Sequence, residues 1–172
     1  MCIHTFSPAN LLPDGSKPAP ITAIVQSHVA DIVGVGFSSG IVTIHDIRAD
    51  ERILYVKLDG GAISAIAFRT DGQELLATSN ITGNIALWDL NQKGRLSHII
   101  RGAHDGPVAS IQWIPNQPVL VSSGEDNSVK VNLFDAPVYG FSDLAISNGC
   151  LIRRICRHDS SNFAQDITPR LI

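Results

Sequence analysis

Cysteine is scarce in this chain of 172 residues: Cys2, Cys150 and Cys156 are the only three. An odd, sparse set builds no disulfide framework, so a reducing compartment is expected. Long apolar runs are missing too. No stretch approaches the roughly 20 residues a membrane helix needs, and the first twenty residues lack a basic start followed by an apolar segment. The sequence therefore predicts a protein that is neither secreted nor membrane-spanning. Asn80-Ile81-Thr82 is formally a glycosylation sequon, but it has meaning only in the secretory pathway. Positive charge is not in excess either: the formal net charge is -3. That balance argues against a broad basic surface gripping a nucleic-acid backbone by counterion release, so RNA association is expected to run through protein partners.

What the chain does have is near-repetition. Gly83-Asn84-Ile85-Ala86-Leu87-Trp88-Asp89 lies over Gly40-Ile41-Val42-Thr43-Ile44-His45-Asp46 at an offset of 43, and over Asn127-Ser128-Val129-Lys130-Val131-Asn132-Leu133 at an offset of 44. Upstream of each copy comes a second apolar run, Ile32 to Phe37, Leu75 to Thr78 and Val119 to Ser122. Before those stand the alternating segments Ile21-Thr22-Ala23-Ile24, Ile63-Ser64-Ala65-Ile66 and Val108-Ala109-Ser110-Ile111. Turn formers punctuate them: Ser38-Ser39-Gly40, Asp71-Gly72, Pro115-Asn116 and Asp126-Asn127. Short β-branched runs spaced this way are strands joined by hairpins, and helical periodicity of competing length is absent. Four strands rewritten at a period near 43 predict an all-β chain, an incomplete β-propeller of about three four-stranded blades plus a partial fourth.

The expected boundaries are a lead-in at 1–18, blades at 19–60, 61–102 and 103–135, an insertion or disturbed linker at 136–149, and a partial blade at 150–172. A propeller needs about 4 to 8 blades, so the chain is expected to be a piece of something larger. Bare blade faces and strand edges at its ends would be aggregation hazards.

Several constellations invite chemistry and fall short of it. Gly34-Val35-Gly36 with Gly40 imitates a dinucleotide loop, but a β-branched strand follows where a helix N-terminus must meet the phosphate. Cys150, Cys156 and His158 lack the spacing of a zinc site and a nearby fourth ligand, so no metal is expected. Arg153, Arg154 and Arg157 form the one dense basic cluster; strand geometry splits it between two faces, as on a solvated edge. Trp88 is given a structural role, its ring packing while its N–H finds a partner.

The Trp88-Asp89 pair and the frame around it resemble the WD-repeat family. In that family a His, a strand Ser or Thr, a turn Asp and the Trp form a buried hydrogen-bonded network. The resemblance assigns His104, Ser122 and Asp126 to it, alongside Trp88 and Asp89. Asn132 stands in the Trp slot of the third blade and His45 in that of the first, so one copy is complete there. If the slot is buried, Asn132 forfeits packing of about 3 kcal/mol. The same Ser, His and Asp could suggest a hydrolase, but no G-x-S-x-G elbow projects a nucleophile.

The ordered set Phe68-Arg69-Thr70-Asp71-Gly72, Ala103-His104, Ser123-Gly124-Glu125-Asp126-Asn127 and Phe134-Asp135 is similar to WD-repeat subunits of the small-subunit processome, which associate with the U3 small nucleolar RNA. That resemblance implies a nucleolar, non-enzymatic scaffold in pre-rRNA processing. Its expected partners are proteins of a ribonucleoprotein assembly, with no cofactor, small-molecule substrate or membrane. A generic WD-repeat adaptor of a ubiquitin ligase or trafficking coat is the alternative. Loops around Asp105 and Glu125 at one end, and Thr70, Asp71 and Asn116 at the other, are the expected contact positions.

Overall fold

The β-branched runs form strands throughout the described residues. The computed structural model describes residues 11–28 and 31–134, together with the backbone of two strands at 142–147 and 150–155. The first sheet consists of β1 (Ile21–Gln26), β2 (Ile32–Phe37), β3 (Ile41–Asp46) and β4 (Glu51–Lys57), paired in chain order. The second consists of β5 (Ile63–Phe68), β6 (Leu75–Asn80), β7 (Ile85–Asp89) and β8 (Arg95–Ile100), again in order. The third begins with β9 (Val108–Trp113), β10 (Val119–Gly124) and β11 (Val129–Leu133). Every pairing is antiparallel, as short hairpin connections require.

The third sheet continues through β12 (Ser142–Ser147) and β13 (Cys150–Ile155), giving the order β13-β12-β11-β10-β9. β12 therefore lies inside the segment expected as an insertion, and it takes the outer-strand position beside β11. Of the partial blade expected at 150–172, β13 alone is described, and it pairs with β12. Residues 1–10, the side chains of Cys150, Arg153 and Arg154, and all of 156–172, with Cys156, Arg157 and His158, lie outside the described residues.

The repeat in sequence is a repeat in backbone. The tight turns β2–β3, β6–β7 and β10–β11 each place a left-handed residue at the same point: Gly40 at φ 81°, Gly83 at 81° and Asn127 at 59°. A Cβ at Gly83 would run into the carbonyl of His104, so glycine is required there by close approach as well as by φ.

The sheets stack face to face. Between the first and second lies a core of Val42, Ile44, Val56, Leu58, Ile66, Phe68, Leu76 and Trp88. Between the second and third lies another, with Ala77, Ile85, Leu87, Ile111, Trp113 and Leu120. The innermost strands β1, β5 and β9 lie side by side, as sectors around an axis require. Gly36 lets β5 press against the first sheet, since a Cβ there would come within 2.7 Å of Ile63. The outer face of the first sheet is covered at Val35 and Phe37 by Leu12 from the lead-in.

Candidate functional site: polar staples that tie each loop to the next blade

His104 sits in the loop that leads into β9, and both of its ring nitrogens are engaged. Nδ1–H donates to Asp126 Oδ1 at 2.9 Å, and Nε2 lies 2.9 Å from Ser122 Oγ. The carboxylate favours the tautomer with its proton on Nδ1, in which Nε2 accepts from the Ser122 hydroxyl. Asp126 also accepts from the Ser128 hydroxyl at 2.7 Å, the Ser128 amide at 3.1 Å and the Asp105 amide at 3.1 Å. The β10–β11 turn is thereby fastened to the loop that enters the blade. Burial works against ionisation of Asp126, but the hydrogen bonds from Ser128, His104 and the Asp105 amide outweigh it and hold the carboxyl well below the usual carboxylate range.

Trp88 is not in that cluster. Its Nε1–H donates to Thr78 Oγ1 at 2.8 Å within the second sheet, while Asp89 caps the following turn by accepting from the Gln92 amide at 3.2 Å. The register makes Thr78 the counterpart of Ser122, because Leu76 faces Trp88 as Leu120 faces Asn132. The network the resemblance assigns to one blade is thus divided. The second blade carries the Trp half and the third the His half.

The second blade solves the stapling problem with a neutral group. The Leu58 amide donates to Gly40 O at 2.9 Å, as the His104 amide donates to Gly83 O at 3.1 Å, so Leu58 stands where His104 does. Asn80 replaces the missing polar ring. Its Oδ1 accepts from the amides of Thr82 and Asn84 at 3.2 and 3.0 Å, and its Nδ2–H donates to Asp59 O at 2.9 Å. The position matching Asn80 in the third blade is Gly124, where a Cβ would come within 2.5 Å of His104 Cγ. Leu with Asn, and His with Gly, are two fillings of one space. Asn80 is fully buried, and its side-chain amide is spent on this staple.

Asn132 is 4% exposed, so the Trp slot of the third blade is buried. The indole there comes from another strand. Trp113 on β9 lies opposite Leu120, in the same cross-strand row as Asn132, and tilts against Phe134 with ring centroids 5.5 Å apart. In the first blade His45 lies 2.9 Å from Thr43 Oγ1, and burial followed by the charge of Arg52 pushes its pKa down.

At the opposite end of the blades, Asp71 is held by Arg69 through two bonds, at 2.7 and 2.6 Å, and Arg69 lies 5.2 Å from the Trp113 ring. The bond to Arg69 is the chief reason the Asp71 carboxyl sits below its ordinary value. Thr70 borders a cleft that also touches Gln26 and Trp113, and its Oγ1 is buried without a partner among the described residues. Asn116 forms the exposed left-handed corner of the β9–β10 turn, at φ 57°. Asp105 and Glu125 are exposed, and the Glu125 amide is tied to Pro107 O. The structure brings His104, Ser122 and Asp126 together, keeps Trp88 and Asp89 in the neighbouring blade, and divides the five loop positions between the two ends. Thr78, Asn80 and the Arg69–Trp113 contact are missed by sequence reasoning; the 44-residue offset, which sets Thr78 over Ser122 and Asn80 over Gly124, signals the first two.

Comparison with known proteins agrees with this frame. Residues 1–135 match the family described as WDR36/Utp21 first beta-propeller. Human WD repeat-containing protein 36 is 38% identical over 117 residues, which is 68% of this chain and 13% of that protein. The U3 small nucleolar RNA-associated protein 21 homolog of Schizosaccharomyces pombe is 38% identical over 116 residues, 67% of this chain and again 13% of the relative. The chain therefore corresponds to a small part of the length of these relatives. Among solved structures, the RRP9 WD40 repeats superpose with a TM-score of 0.60 at 17% identity, covering 67% of this chain and 36% of that one. The chain belongs to the WDR36/Utp21 family of WD-repeat proteins, with residues 1–135 in the family's first β-propeller.

Proposed function

We propose that this chain is part of a nucleolar, non-catalytic interaction scaffold of the small-subunit processome, acting in pre-rRNA processing and small ribosomal subunit biogenesis. The observation that carries the reading is the family match across residues 1–135, together with a relative named for its association with the U3 small nucleolar RNA. The site supports a binding role. Ser122 is 1% exposed and sits beneath His104, so a substrate carbonyl has no approach to its hydroxyl. What the His–Ser–Asp cluster supplies is rigidity, and a preorganised loop surface lowers the ordering cost of engaging partners.

The partners are proteins of a ribonucleoprotein assembly, and the net charge of -3 favours indirect association with RNA. Asp105 and Glu125 at one end, and Thr70 and Asn116 at the other, are the proposed contact positions; Asp71 contributes mainly by shaping its turn through Arg69. Affinity purification of the full-length parent protein tests the reading. Recovery of processome proteins with pre-rRNA is expected, and charge reversal at Asp105 and Glu125 should weaken it without unfolding the blade. Recovery of ubiquitin-ligase or coat subunits instead would establish the generic adaptor.

A further inference from the structure

Four Asp-Gly peptides occur among the described residues: Asp14-Gly15, Asp59-Gly60, Asp71-Gly72 and Asp105-Gly106. The dipeptide is the least hindered setting for attack of a backbone nitrogen on the preceding side chain, because glycine has no Cβ to screen its amide. Whether the attack occurs depends on the freedom of the carboxyl group. Asp14-Gly15 in the lead-in is exposed, as are Asp59 and Asp105 beside the blade-entry loops, whereas the Asp71 carboxyl is held.

Asp59 and Asp105 occupy equivalent places. Each directly follows the residue whose amide bonds across to the preceding tight turn, Leu58 to Gly40 and His104 to Gly83. Each is followed by a left-handed glycine, Gly60 at φ 107° and Gly106 at 113°. The Asp59 side chain is 93% exposed, with Lys57 Nζ 4.0 Å away as its nearest ion-pair partner. Asp105 is exposed, and its hydrogen bond to Asp126 uses its amide and leaves its carboxyl group out. No hydrogen bond among the described residues engages the amides of Gly60 or Gly106. Asp71 is the contrast: the same dipeptide, also at a turn with Gly72 at φ 89°, but with both carboxylate oxygens gripped by a buried arginine.

We propose that Asp59-Gly60 and Asp105-Gly106 are sites of spontaneous isoaspartate formation, and that the Arg69 clasp spares Asp71-Gly72. In the first step the glycine amide nitrogen bonds to Cγ of the protonated carboxyl group. The nitrogen's proton leaves with the carboxyl hydroxyl as water, closing a five-membered succinimide. In the second step water adds to one of the two ring carbonyls. Opening at the main-chain carbonyl releases it as a free α-carboxylate and routes the chain through the former side chain; opening at the other restores aspartate. No oxidant or reductant takes part.

The consequence is local to the staples. At Asp59 the carbonyl that accepts from Asn80 becomes part of a carboxylate, and the backbone gains a methylene between two fixed points. At Asp105 the lengthened link lies next to the amide held by Asp126. The modification therefore falls where each inter-blade loop is tied down.

The purified full chain, aged at neutral pH and physiological temperature, is probed with protein-L-isoaspartate methyltransferase and labelled S-adenosylmethionine, and the labelled peptides are mapped by mass spectrometry. Isoaspartate at 59 and 105 should exceed that at 71 by at least about tenfold, the factor that corresponds to about 1.4 kcal/mol. In urea the clasp is gone and the ratio should fall towards one. Asp59→Glu and Asp105→Glu should remove the label at those positions, since glutamate must close a larger ring. Comparable labelling at 71 in the native protein, absence of label at 59 and 105, or a ratio unchanged by urea would each overturn the proposal.

Discussion

Gly124 offers the most searching test of the packing between blades. Its φ is not left-handed, so a side chain there carries no backbone penalty, and the cost of Gly124→Asn comes from contact alone. The new Cβ would lie within 2.5 Å of His104 Cγ, and the ring cannot swing aside because both nitrogens are bonded. Overpacking a filled interior costs about 1–3 kcal/mol, and losing a hydrogen bond to a charged group adds about 1.5–3 kcal/mol. The substitution should therefore destabilise the chain by about 2.5–6 kcal/mol. His104→Leu alone leaves the Ser122 hydroxyl unpaired and strips one donor from Asp126, for about 2–3 kcal/mol. Combined, the two reproduce the Leu58 and Asn80 pairing that the second blade already uses, so their costs should overlap. Urea denaturation followed by tryptophan fluorescence should show the double variant more stable than the sum of the singles by at least about 1 kcal/mol, the scale expected of residues in contact. Strictly additive costs, or a Gly124→Asn protein as stable as the parent sequence, would refute the argument that the two pairs fill one space.

Trp88→Phe keeps most of the ring but leaves Thr78 Oγ1 without its donor, and should cost about 1–3 kcal/mol in chemical denaturation; Trp88→Ala should cost about 3–5 kcal/mol. Arg69→Ala removes the two bonds to Asp71 and the contact with Trp113, and should lower stability by about 2–3 kcal/mol, with Arg69→Lys recovering only part because an ammonium cannot make the paired contact. Acid should weaken the fold in two stages. His45 and Asp126 both have depressed values when folded, so the unfolded chain binds more protons and stability falls as pH drops. The first loss should begin near pH 6.5, the ordinary histidine value, and disappear in His45→Gln; the second should begin near pH 4, the ordinary carboxylate value, and shrink in Asp126→Asn, with the remainder carried by the Asp71 carboxyl that Arg69 holds. Stability measured by denaturation across that range should show both.

The strands were legible because their signal is local. A β-branched run bounded by Gly or Asn is a strand wherever it lies, and three copies in one frame fixed the sheets and the left-handed corners at Gly40, Gly83 and Asn127. β12 was not legible, because Pro137, Gly140 and Gly149 dominate the composition around it, and its pairing with β11 is a tertiary fact. His104, Ser122 and Asp126 could be assigned through family resemblance. The bond from Trp88 to Thr78 was marked only by the 44-residue offset that sets Thr78 over Ser122, and it was passed over because the network was sought around His104 alone. Asn80 was hidden behind a misleading label, a sequon whose asparagine is wholly enclosed. Arg69 looked like an ordinary turn cation, and only the docking of the third blade places Trp113 beside it.

The division of the polar network between neighbouring blades bears on how a WD-repeat propeller of this kind tolerates sequence change. Three functions must be met at each junction: the tight turn must be tied to the incoming loop, a hydroxyl in the second strand must find a partner, and the row facing the preceding blade must be filled. In the third blade His104 and Asp126 meet the first two and Trp113 the third. In the second, Asn80 meets the first, while Trp88 meets the second through Thr78 and lies in the filled row with Phe68 and Leu76. Each requirement is a matter of volume and of satisfied hydrogen bonds, and neither specifies which residue supplies it. A blade can therefore lose its tryptophan, or its histidine, and keep its geometry, provided the compensating group lies in the same row or loop. Sequence change in the exposed loops can then act on one blade without dismantling the next.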